Sequence, residues 1–395
     1  MTGARSVRGI LQGAALLVLM SLAACTGVRS LPAPGPDQSL LATPVGYQHV
    51  RFNTLEANER IEDAVLDIRD QVAARIARDG EVPNGGRFDV LVLSGGGPDG
   101  AFGAGLLNGW SRRGGRPEFG LVTGISTGAL IAPFAFLGSE FDPALKRFYT
   151  QTRTTDLVSF AVLGGLLGAA GLTDTTPIRG ILKREITPDF VRRLAEEHRN
   201  GRRLWVGTTN LDAQRAVIWD VGAIAATGRE DAPQLIRDVL LASASIPGAF
   251  PPVIFQVEAE GERFTEMHVD GGVTRQLFLF PFDAPAGRDR DNPNALVRPG
   301  TVYAIRNSKL GPEYAETPPG IFEIAQRSVS TLIKSGGIND ITVLRQQANQ
   351  GGFEVKVVSV PDSFDVPSEE LFDITYMRAL YDVGEDLMLE GELWR

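Results

Sequence analysis

The sequence predicts an α/β protein with a mostly parallel central β-sheet. Two short apolar runs, at 88–93 and 119–122, have the composition of buried strands. Each run is followed by a glycine-containing turn and then by a helix-forming segment, which ends near Arg112 in the first case and at Leu137 in the second. Repeated strand, loop and helix units are typical of parallel sheets, because each helix returns the chain to the same edge.

The first 24 residues are predicted to form a lipoprotein signal peptide. Arg5 and Arg8 precede an apolar run over 10–20, which has the layout of a secretory signal and is short for a membrane span. Cys25 directly follows two alanines, an arrangement that resembles a bacterial lipobox, in which the cysteine becomes the lipidated first residue. By analogy with bacterial lipoproteins, Thr26 in place of an aspartate at the next position implies sorting to the outer membrane. We therefore expect a protein anchored in the bacterial cell envelope through Cys25; a plain signal with an incidental cysteine is the alternative.

Composition narrows the classes of function. The chain of 395 residues has 43% hydrophobic residues and a formal net charge of −9, and the signal peptide removes two arginines, so the remainder is more acidic still. An acidic surface argues against nucleic acid as a partner and against electrostatic attraction to anionic lipid. Cys25 is the only cysteine, which excludes an internal disulfide. The three histidines show no metal-ligand spacing, so we expect neither a metal nor another cofactor.

Residues 25–55 are predicted to form a tether between the lipid anchor and a folded domain over 56–395. Four prolines among small and polar residues between Ser30 and Pro44 favour a semi-rigid chain with little regular structure. The domain then begins with an amphipathic helix over 56–78, which ends at an Asp-Gly pair.

Further strands and helices alternate along the rest of the chain. We predict strands over 204–208, 216–221, 266–269, 302–306 and 353–360, and helices over 187–198, 233–244, 319–348 and 368–389. A polar, proline-rich stretch over 281–300 is predicted to be a surface loop. This loop separates the motif-bearing core, 88–276, from a C-terminal α/β extension over 301–395.

The turn after the second strand carries the candidate nucleophile. Its sequence is Gly124-Ile125-Ser126-Thr127-Gly128. A Gly-x-Ser-x-Gly between a strand and a helix indicates a nucleophile elbow, because so tight a turn requires glycine neighbours and lifts the serine hydroxyl to the edge of the sheet. Ser126 is therefore the candidate nucleophile. The alternative is an ordinary turn in which Ser126 caps the following helix.

The turn after the first strand contains three consecutive glycines, Gly95, Gly96 and Gly97. Backbone N–H groups of such a loop can turn toward the oxyanion of an acyl-transfer transition state, and the following helix adds a favourable dipole. The stretch from Gly95 to Gly100 also satisfies the Gly-x-Gly-x-x-Gly pattern of dinucleotide sites. Glu118 lies near the spacing of a ribose-binding acid, but it precedes its strand instead of ending it, so we favour an oxyanion hole.

Asp270 is the candidate general base. It ends a predicted strand and is followed by two glycines, whose N–H groups can orient its carboxylate at the sheet edge. Neither His49 nor His198 is placed for a catalytic triad. His268 lies on the same strand face as Asp270 and is the alternative partner for the serine. In a non-catalytic role, Asp270 would simply form an Asp-Gly turn.

Taken together, these motifs resemble the patatin-like phospholipases. The resemblance rests on the glycine loop with Gly100, the Gly-x-Ser-x-Gly elbow, the run Leu241–Pro252 and Asp270-Gly271-Gly272, in this order, and it covers roughly residues 88–276. It implies a three-layer α/β/α fold and a serine-aspartate dyad that hydrolyses acyl esters of lipids through an acyl-enzyme. Ser126 would be the nucleophile, Asp270 the base, and Gly95, Gly96 and Gly97 the oxyanion donors.

The chain departs from the family pattern at Asp99. The family has arginine or lysine before the last glycine of the loop, so this aspartate reverses a charge that can assist an oxyanion or a phosphate. The sequence therefore leaves several activities open. They are phospholipase A-type hydrolysis, general carboxylesterase or thioesterase activity, and a non-catalytic envelope lipoprotein that binds lipid or protein.

The segment Leu157–Leu172 has no assigned role. It is nearly all apolar and contains four glycines. This composition fits a core segment, a lid over a lipid-binding cleft, an interfacial patch or, less well at this length, a membrane span.

Overall fold

A computed structural model describes residues 29–52, 57–157, 159–160, 173–280, 298–314, 316–391 and 394. Three predicted features lie wholly or mostly outside these residues. They are the signal peptide with Cys25, the apolar segment Leu157–Leu172 and the surface loop over 281–300. The predictions about them stay predictions.

Helices and strands alternate along most of the described chain. The helices are α1 (Gln38–Leu41), α2 (Ala57–Asp79), α3 (Gly100–Arg113), α4 (Thr127–Leu137), α5 (Asp142–Gln151), α6 (Thr154–Leu157), α7 (Thr176–Glu185), α8 (Pro188–Arg199), α9 (Val221–Ala226), α10 (Ala232–Ser243), α11 (Ile321–Gln350) and α12 (Ile374–Glu390). The strands are β1 (Thr43–Pro44), β2 (Arg51–Phe52), β3 (Arg87–Leu93), β4 (Leu121–Ile125), β5 (Ser159–Phe160), β6 (Thr173–Asp174), β7 (Arg203–Asn210), β8 (Arg215–Asp220), β9 (Val253–Ala259), β10 (Glu262–Asp270), β11 (Arg298–Lys309) and β12 (Glu354–Val360).

Parallel strands form the centre of the main sheet, in the order β12-β11-β3-β4-β7. Antiparallel strands extend it, since β7 pairs with both β8 and β10, β10 forms a hairpin with β9, β1 adds to β9, and β2 adds to β8. The predicted α/β class with its parallel sheet is confirmed. Strand β9 was not predicted, because two prolines directly precede it. Its alternating burial is nevertheless typical of a strand.

Alternate residues of β3 pack into two different hydrophobic clusters. Leu91 and Leu93 belong to the cluster that contains α3, α4 and α12, whereas Val90 and Val92 pack with Leu344 of α11 on the opposite face. Because successive side chains of a strand point to opposite faces, the sheet is covered by helices on both sides. This is the three-layer α/β/α arrangement.

Most predicted helices are confirmed within a few residues, including α2, α8, α10 and α11. The closing helix is the exception, because it begins at Ile374 and not near Ser368. The Asp373 carboxylate accepts hydrogen bonds from the N–H groups of Thr375 and Tyr376, at 2.8 and 3.2 Å, and so defines the start of α12. Among the described helices, none has both the length and the apolar composition to cross a bilayer.

The proline-rich segment before α2 has more structure than expected. Residues 38–41 form a helical turn, and Thr43 and Pro44 pair with the edge strand β9. The Pro32 carbonyl accepts from Thr265 N–H at 2.9 Å. Edge strands expose backbone N–H and C=O groups that lack hydrogen-bond partners, and the proline-rich segment supplies those partners. The segment from residue 29 onward therefore lies along the domain.

Helices α3 and α12 approach each other closely through glycines. A Cβ atom on Gly105 of α3 would collide with the Tyr381 carbonyl, and a Cβ atom on Gly384 of α12 would collide with the Phe102 carbonyl. Glycine at these positions lets the two backbones touch. Since α3 begins directly after the glycine loop, α12 supports that loop from the other end of the sequence.

A buried ion pair connects the N-terminal segment to β10. Arg51 Nη1 lies 2.6 Å from Glu266 Oε2, and both side chains are only 1% exposed. Arg51 Nε also donates to the Ala42 carbonyl at 3.1 Å. Buried charges of this kind require an opposite charge and hydrogen-bond partners, because burying either charge alone carries a large desolvation cost.

We expect Glu266→Gln to lower the free energy of unfolding by about 3–5 kcal/mol, because it removes the carboxylate charge that pairs with the buried Arg51 guanidinium. Urea denaturation followed by circular dichroism measures the change. Arg192→Ala, which breaks the exposed pair with Glu196 on α8, serves as the control and should cost less than about 1 kcal/mol. The double variant Arg51→Met, Glu266→Leu should recover most of the loss. Equal costs for the buried and the exposed pair would contradict this account.

Candidate active site

Ser126 occupies a strained turn between β4 and α4. Its backbone has φ 55° and ψ −125°, a conformation that residues other than glycine rarely adopt. A Cβ atom on Gly124 would lie 2.5 Å from the Gly128 carbonyl oxygen, and one on Gly128 would lie 2.6 Å from the Ser94 carbonyl oxygen. The glycines of the motif are therefore sterically required. The Ser126 side chain makes no capping hydrogen bond to α4, so the ordinary-cap alternative is wrong.

Residues at the C-terminal end of α10 and directly after it hold the backbones of both candidate catalytic residues. Ser126 N–H donates to Ser243 Oγ at 2.9 Å, and the Ser243 hydroxyl donates to the Gly207 carbonyl at 2.7 Å. Asp270 N–H donates to the Ser245 carbonyl at 2.9 Å. The sequence singled out this run as a motif but indicated no role for it. In the structure, this run hydrogen-bonds to the backbone of the elbow and to the end of β10, and so holds the two together.

Asp270 lies at the end of β10 with its carboxyl group buried. Its Oδ1 accepts from Gly272 N–H at 2.7 Å, as expected for the Asp-Gly-Gly sequence. Its Oδ2 has no hydrogen-bond partner among the described residues. Burial raises the pKa of Asp270 to about 7, while the nearby Ser126 hydroxyl and the Gly272 N–H act in the opposite direction.

The Ser126 hydroxyl lies beside the Asp270 carboxyl group and favours its ionised form, against the effect of burial. The approach nevertheless falls short of hydrogen-bond geometry, since Oδ2 remains without a partner. Catalytic hydrogen bonds are often long without substrate and shorten when it binds.

His268 is not available as a base. Its Nδ1 is hydrogen-bonded to Thr208 Oγ1 at 2.9 Å and its Nε2 to Glu266 Oε2 at 3.1 Å. Both ring nitrogens are therefore occupied within the buried ion-pair cluster. The alternative of His268 as partner of the serine is wrong, because the pleat places it on the same face as Asp270 but its ring bonds to other residues.

The three loop glycines differ in whether their N–H groups are already hydrogen-bonded. Gly95 N–H donates to the Gln276 carbonyl at 3.1 Å and is not free to bind an oxyanion. Gly96 and Gly97 donate to no acceptor within the described part of the chain, and they precede α3. A Cβ atom on Gly95 would lie 3.2 Å from Ser126 Cβ, so the loop borders the elbow directly. The structure leaves Gly96 and Gly97 as the available donors.

Asn307 of β11 holds the glycine loop in place. Its N–H donates to Ser94 Oγ at 2.8 Å, and its Nδ2 donates to the Ser94 carbonyl at 2.9 Å. Its Oδ1 accepts from Gly103 N–H of α3 at 3.1 Å. Sequence reasoning missed this fully buried residue. The sequence feature that could have identified Asn307 is its position, as a polar residue directly after the predicted apolar strand over 302–306.

Asp99, the departure from the family pattern, is bound to the C-terminal helix. The Tyr376 hydroxyl of α12 donates to Asp99 Oδ1 at 2.6 Å. Burial raises the pKa of Asp99 to about 7, although this hydrogen bond and the positive charges of Lys309 and Lys334 favour the ionised form. The aspartate thus adds a second contact between α12 and the turn that precedes α3.

A dinucleotide site at the glycine loop is not supported. Glu118 precedes β4 and its carboxylate pairs with Arg75 of α2 at 2.7 Å. It therefore lies at the opposite end of β4 from the loop and cannot bind a ribose there. Over the described ranges, no cluster of three or more histidine, cysteine or acidic residues is arranged to hold a metal ion.

Comparison with known proteins gives one family. The family model of the patatin-like phospholipases matches residues 91–283, a span that contains the loop glycines, Ser126 and Asp270. The crystal structure of VipD from Legionella pneumophila is similar over 78% of this chain and 67% of that chain, at 13% identity and a TM-score of 0.35. No curated protein matches significantly. Residues 91–283 belong to the patatin-like phospholipase family, whose members are lipid acyl hydrolases.

Proposed function

We propose that this chain hydrolyses acyl esters of lipids, as a phospholipase A-type enzyme or a general carboxylesterase, with Ser126 as nucleophile and Asp270 as base. The family supplies the reaction class. The observation that carries the assignment of residues is the buried, unpartnered Oδ2 of Asp270 beside a serine in a strained turn. A base needs an acceptor lone pair that no structural hydrogen bond occupies, and Oδ2 meets this requirement.

In the first half of the proposed reaction, Ser126 Oγ attacks the ester carbonyl carbon while its proton passes to Asp270 Oδ2. The carbonyl electron pair moves onto oxygen, and the N–H groups of Gly96 and Gly97 donate to the resulting oxyanion. Collapse of this intermediate breaks the bond to the alcohol, which leaves with the proton from Asp270. The product is an acyl ester on Ser126.

Water reverses these steps in the second half. Asp270 takes a proton from water as the hydroxide attacks the acyl-Ser126 carbonyl, and the same loop donors hold the second oxyanion. Collapse releases the fatty acid and returns the proton to Ser126 Oγ. A pKa near 7 suits both roles of Asp270, because a group near the working pH can accept and return a proton at similar cost.

Labelling of the full chain with a fluorophosphonate probe tests the dyad. Ser126→Ala should abolish labelling, and Asp270→Asn should slow both labelling and ester hydrolysis by about 10²–10⁴-fold, because the base is lost. Asp189→Asn, an exposed aspartate of α8, is the matched control and should label as the wild type does. Failure of the folded wild-type chain to label would favour the non-catalytic lipid- or protein-binding alternative.

Hydrolysis should depend on pH through Asp270. Because the base must be ionised, kcat/KM for a short ester should fall as the pH drops below about 7. Asp99 also titrates near 7, so Asp99→Asn is the control and should keep the profile. A wild-type rate that stays constant from pH 5 to pH 8 would contradict Asp270 as the base.

The same carboxyl group should limit stability at neutral pH. Its folded pKa lies above the ordinary value of 3.8, so the stability that it contributes is present below pH 3.8 and lost as the pH rises through 7. Each unit of such a difference corresponds to about 1.4 kcal/mol. Asp270→Asn should therefore unfold at higher temperature than the wild type at pH 7.5, and this difference should vanish at pH 4.

We also propose that Cys25 anchors the protein to the bacterial outer membrane. Support comes from the lipobox-like sequence and from Thr26 after the cysteine. In a bacterial host, Cys25→Ser should abolish incorporation of labelled palmitate and remove the protein from the outer-membrane fraction. Palmitate incorporation that persists in this variant would contradict the proposal.

A further inference from the structure

The N-terminal segment is bound to the domain within a few residues of Cys25. The Arg29 guanidinium donates to both carboxylate oxygens of Asp212, at 2.7 and 2.8 Å, and both side chains are mostly buried. Two residues later, the Leu31 carbonyl accepts from the Thr265 hydroxyl at 2.6 Å. The chain is therefore fixed to the surface of the domain from Arg29 onward.

The turn that binds Arg29, the docking turn, consists of residues 211–214 between β7 and β8. Asp212 Oδ2 also accepts from Met267 N–H of β10 at 2.9 Å, and Asp212 N–H donates to Asn210 Oδ1 at 3.0 Å. Met267 lies three residues before Asp270 in the same strand, a distance of about 10 Å. Arg29 is thus bound beside the strand that ends at the candidate base.

The docking turn lies at the same edge of the sheet as the candidate dyad. In β7, Gly207 pairs with Ile125, the residue before Ser126, and Thr208 pairs with Asp270. The strand ends two residues beyond Thr208, and the docking turn follows directly. The register of the sheet therefore connects the point where the N-terminal segment is bound to both candidate catalytic residues.

Exposed apolar side chains lie at the docking turn and beside the dyad. Leu211 of the turn is 39% exposed, and Ile254, which pairs with Met267 in the β9–β10 hairpin, is 41% exposed. Val273, also 39% exposed, follows the turn that contains Asp270, and its neighbour Thr274 is hydrogen-bonded to β7 at 2.9 Å. We call these three apolar side chains the apolar rim. Exposed apolar side chains grouped in this way favour contact with the apolar part of a bilayer.

The length of chain between Cys25 and Arg29 limits how far the domain can lie from a membrane. Acyl chains on Cys25 would insert into the bilayer and keep this residue at its surface. Arg29 follows four residues later, and a chain of this length spans at most about 14 Å when fully extended. The edge of the sheet that binds Arg29 is therefore held close to the headgroups.

We propose that the apolar rim contacts the lipid leaflet in which Cys25 is anchored, so that the site opens onto this leaflet and takes its ester substrate from the lipids there. The inference rests on the proposed function and on the proposed lipid anchor. The bond between Arg29 and the docking turn orients the domain, because it places the edge that carries Ser126 toward the headgroups. Lipids of a second, facing membrane lie beyond this short connection.

Leu211→Cys tests the contact with the leaflet. The lipidated full chain is bound to phosphatidylcholine vesicles and the new thiol is labelled with nitrobenzoxadiazole, since lipidated Cys25 offers no free thiol. Dibrominated phosphatidylcholine should quench the label at least twofold. Val82→Cys is the control, because Val82 is 44% exposed but precedes β3, at the opposite edge of the sheet, and its label should stay unquenched. Equal quenching at both positions, or quenching at neither, would overturn the proposal.

A longer connection tests the source of the substrate. Thirty glycine and serine residues inserted between Val28 and Arg29 keep the docking contact but add a flexible span of about 30 Å. Hydrolysis of a fluorogenic phospholipid in the same vesicles should fall at least fivefold, because the effective concentration of the leaflet falls. Turnover of p-nitrophenyl butyrate should stay within twofold. The same insertion between Gly114 and Gly115, in the exposed turn after α3, is the control and should change neither rate.

These measurements separate the inference from the proposed function. Normal butyrate turnover with unchanged phospholipid hydrolysis after the insertion at Arg29, or with no hydrolysis of vesicle lipid by the wild type, would overturn the inference alone. Quenching at Leu211 in a chain that turns over no ester would uphold the contact with the leaflet and overturn the catalytic proposal. A wild-type chain that does not stay on the vesicles would overturn the anchor and this inference together.

Discussion

The buried carboxyl group of Asp270 is the constraint on which the rest of the site depends. Within the described part of the chain, no basic side chain neutralises it and one of its oxygens lacks a hydrogen bond. The neighbouring Ser126 adds a strained backbone. Features of this kind persist only where the surroundings enforce them, at a cost on the order of 1–3 kcal/mol each. The enforcing contacts are identifiable, since Ser243 and Ser245 fix both backbones and Gly272 fixes one carboxylate oxygen.

Support for the glycine loop comes from the far end of the chain. Asn307 binds Ser94 and Gly103, while Tyr376 binds Asp99, so β11 and α12 together set the position of the loop. Residues 301–395 therefore contribute to the site physically, although the matched family region ends at 283. Helix α3, which follows the loop directly, touches the backbone of α12 through glycines, and such close packing tolerates little displacement.

The parts of the site that were predictable have one property in common. Each needs a backbone conformation or a close approach that only neighbouring glycines allow. Ser126 and Asp270 stand beside glycines that tight turns demand, and this requirement is visible within five residues of sequence. The role of Asn307 depends on contacts between residues far apart in the chain, since Asn307 binds a serine 213 positions away. No local pattern encodes such a contact. The same reason explains the packed proline-rich segment, because its composition indicates stiffness but not the edge strand that receives it.

The close approach of α3 and α12 has a consequence for biosynthesis. The loop and the elbow are complete in sequence by residue 128, but the helix that supports them spans residues 374–390 and is translated more than two hundred residues later. A chain folds from its N-terminus as it emerges from the ribosome, so the nascent protein carries its serine and glycine loop without their final support. The supported form of the glycine loop therefore arises only near the end of synthesis, once α12 has packed against α3.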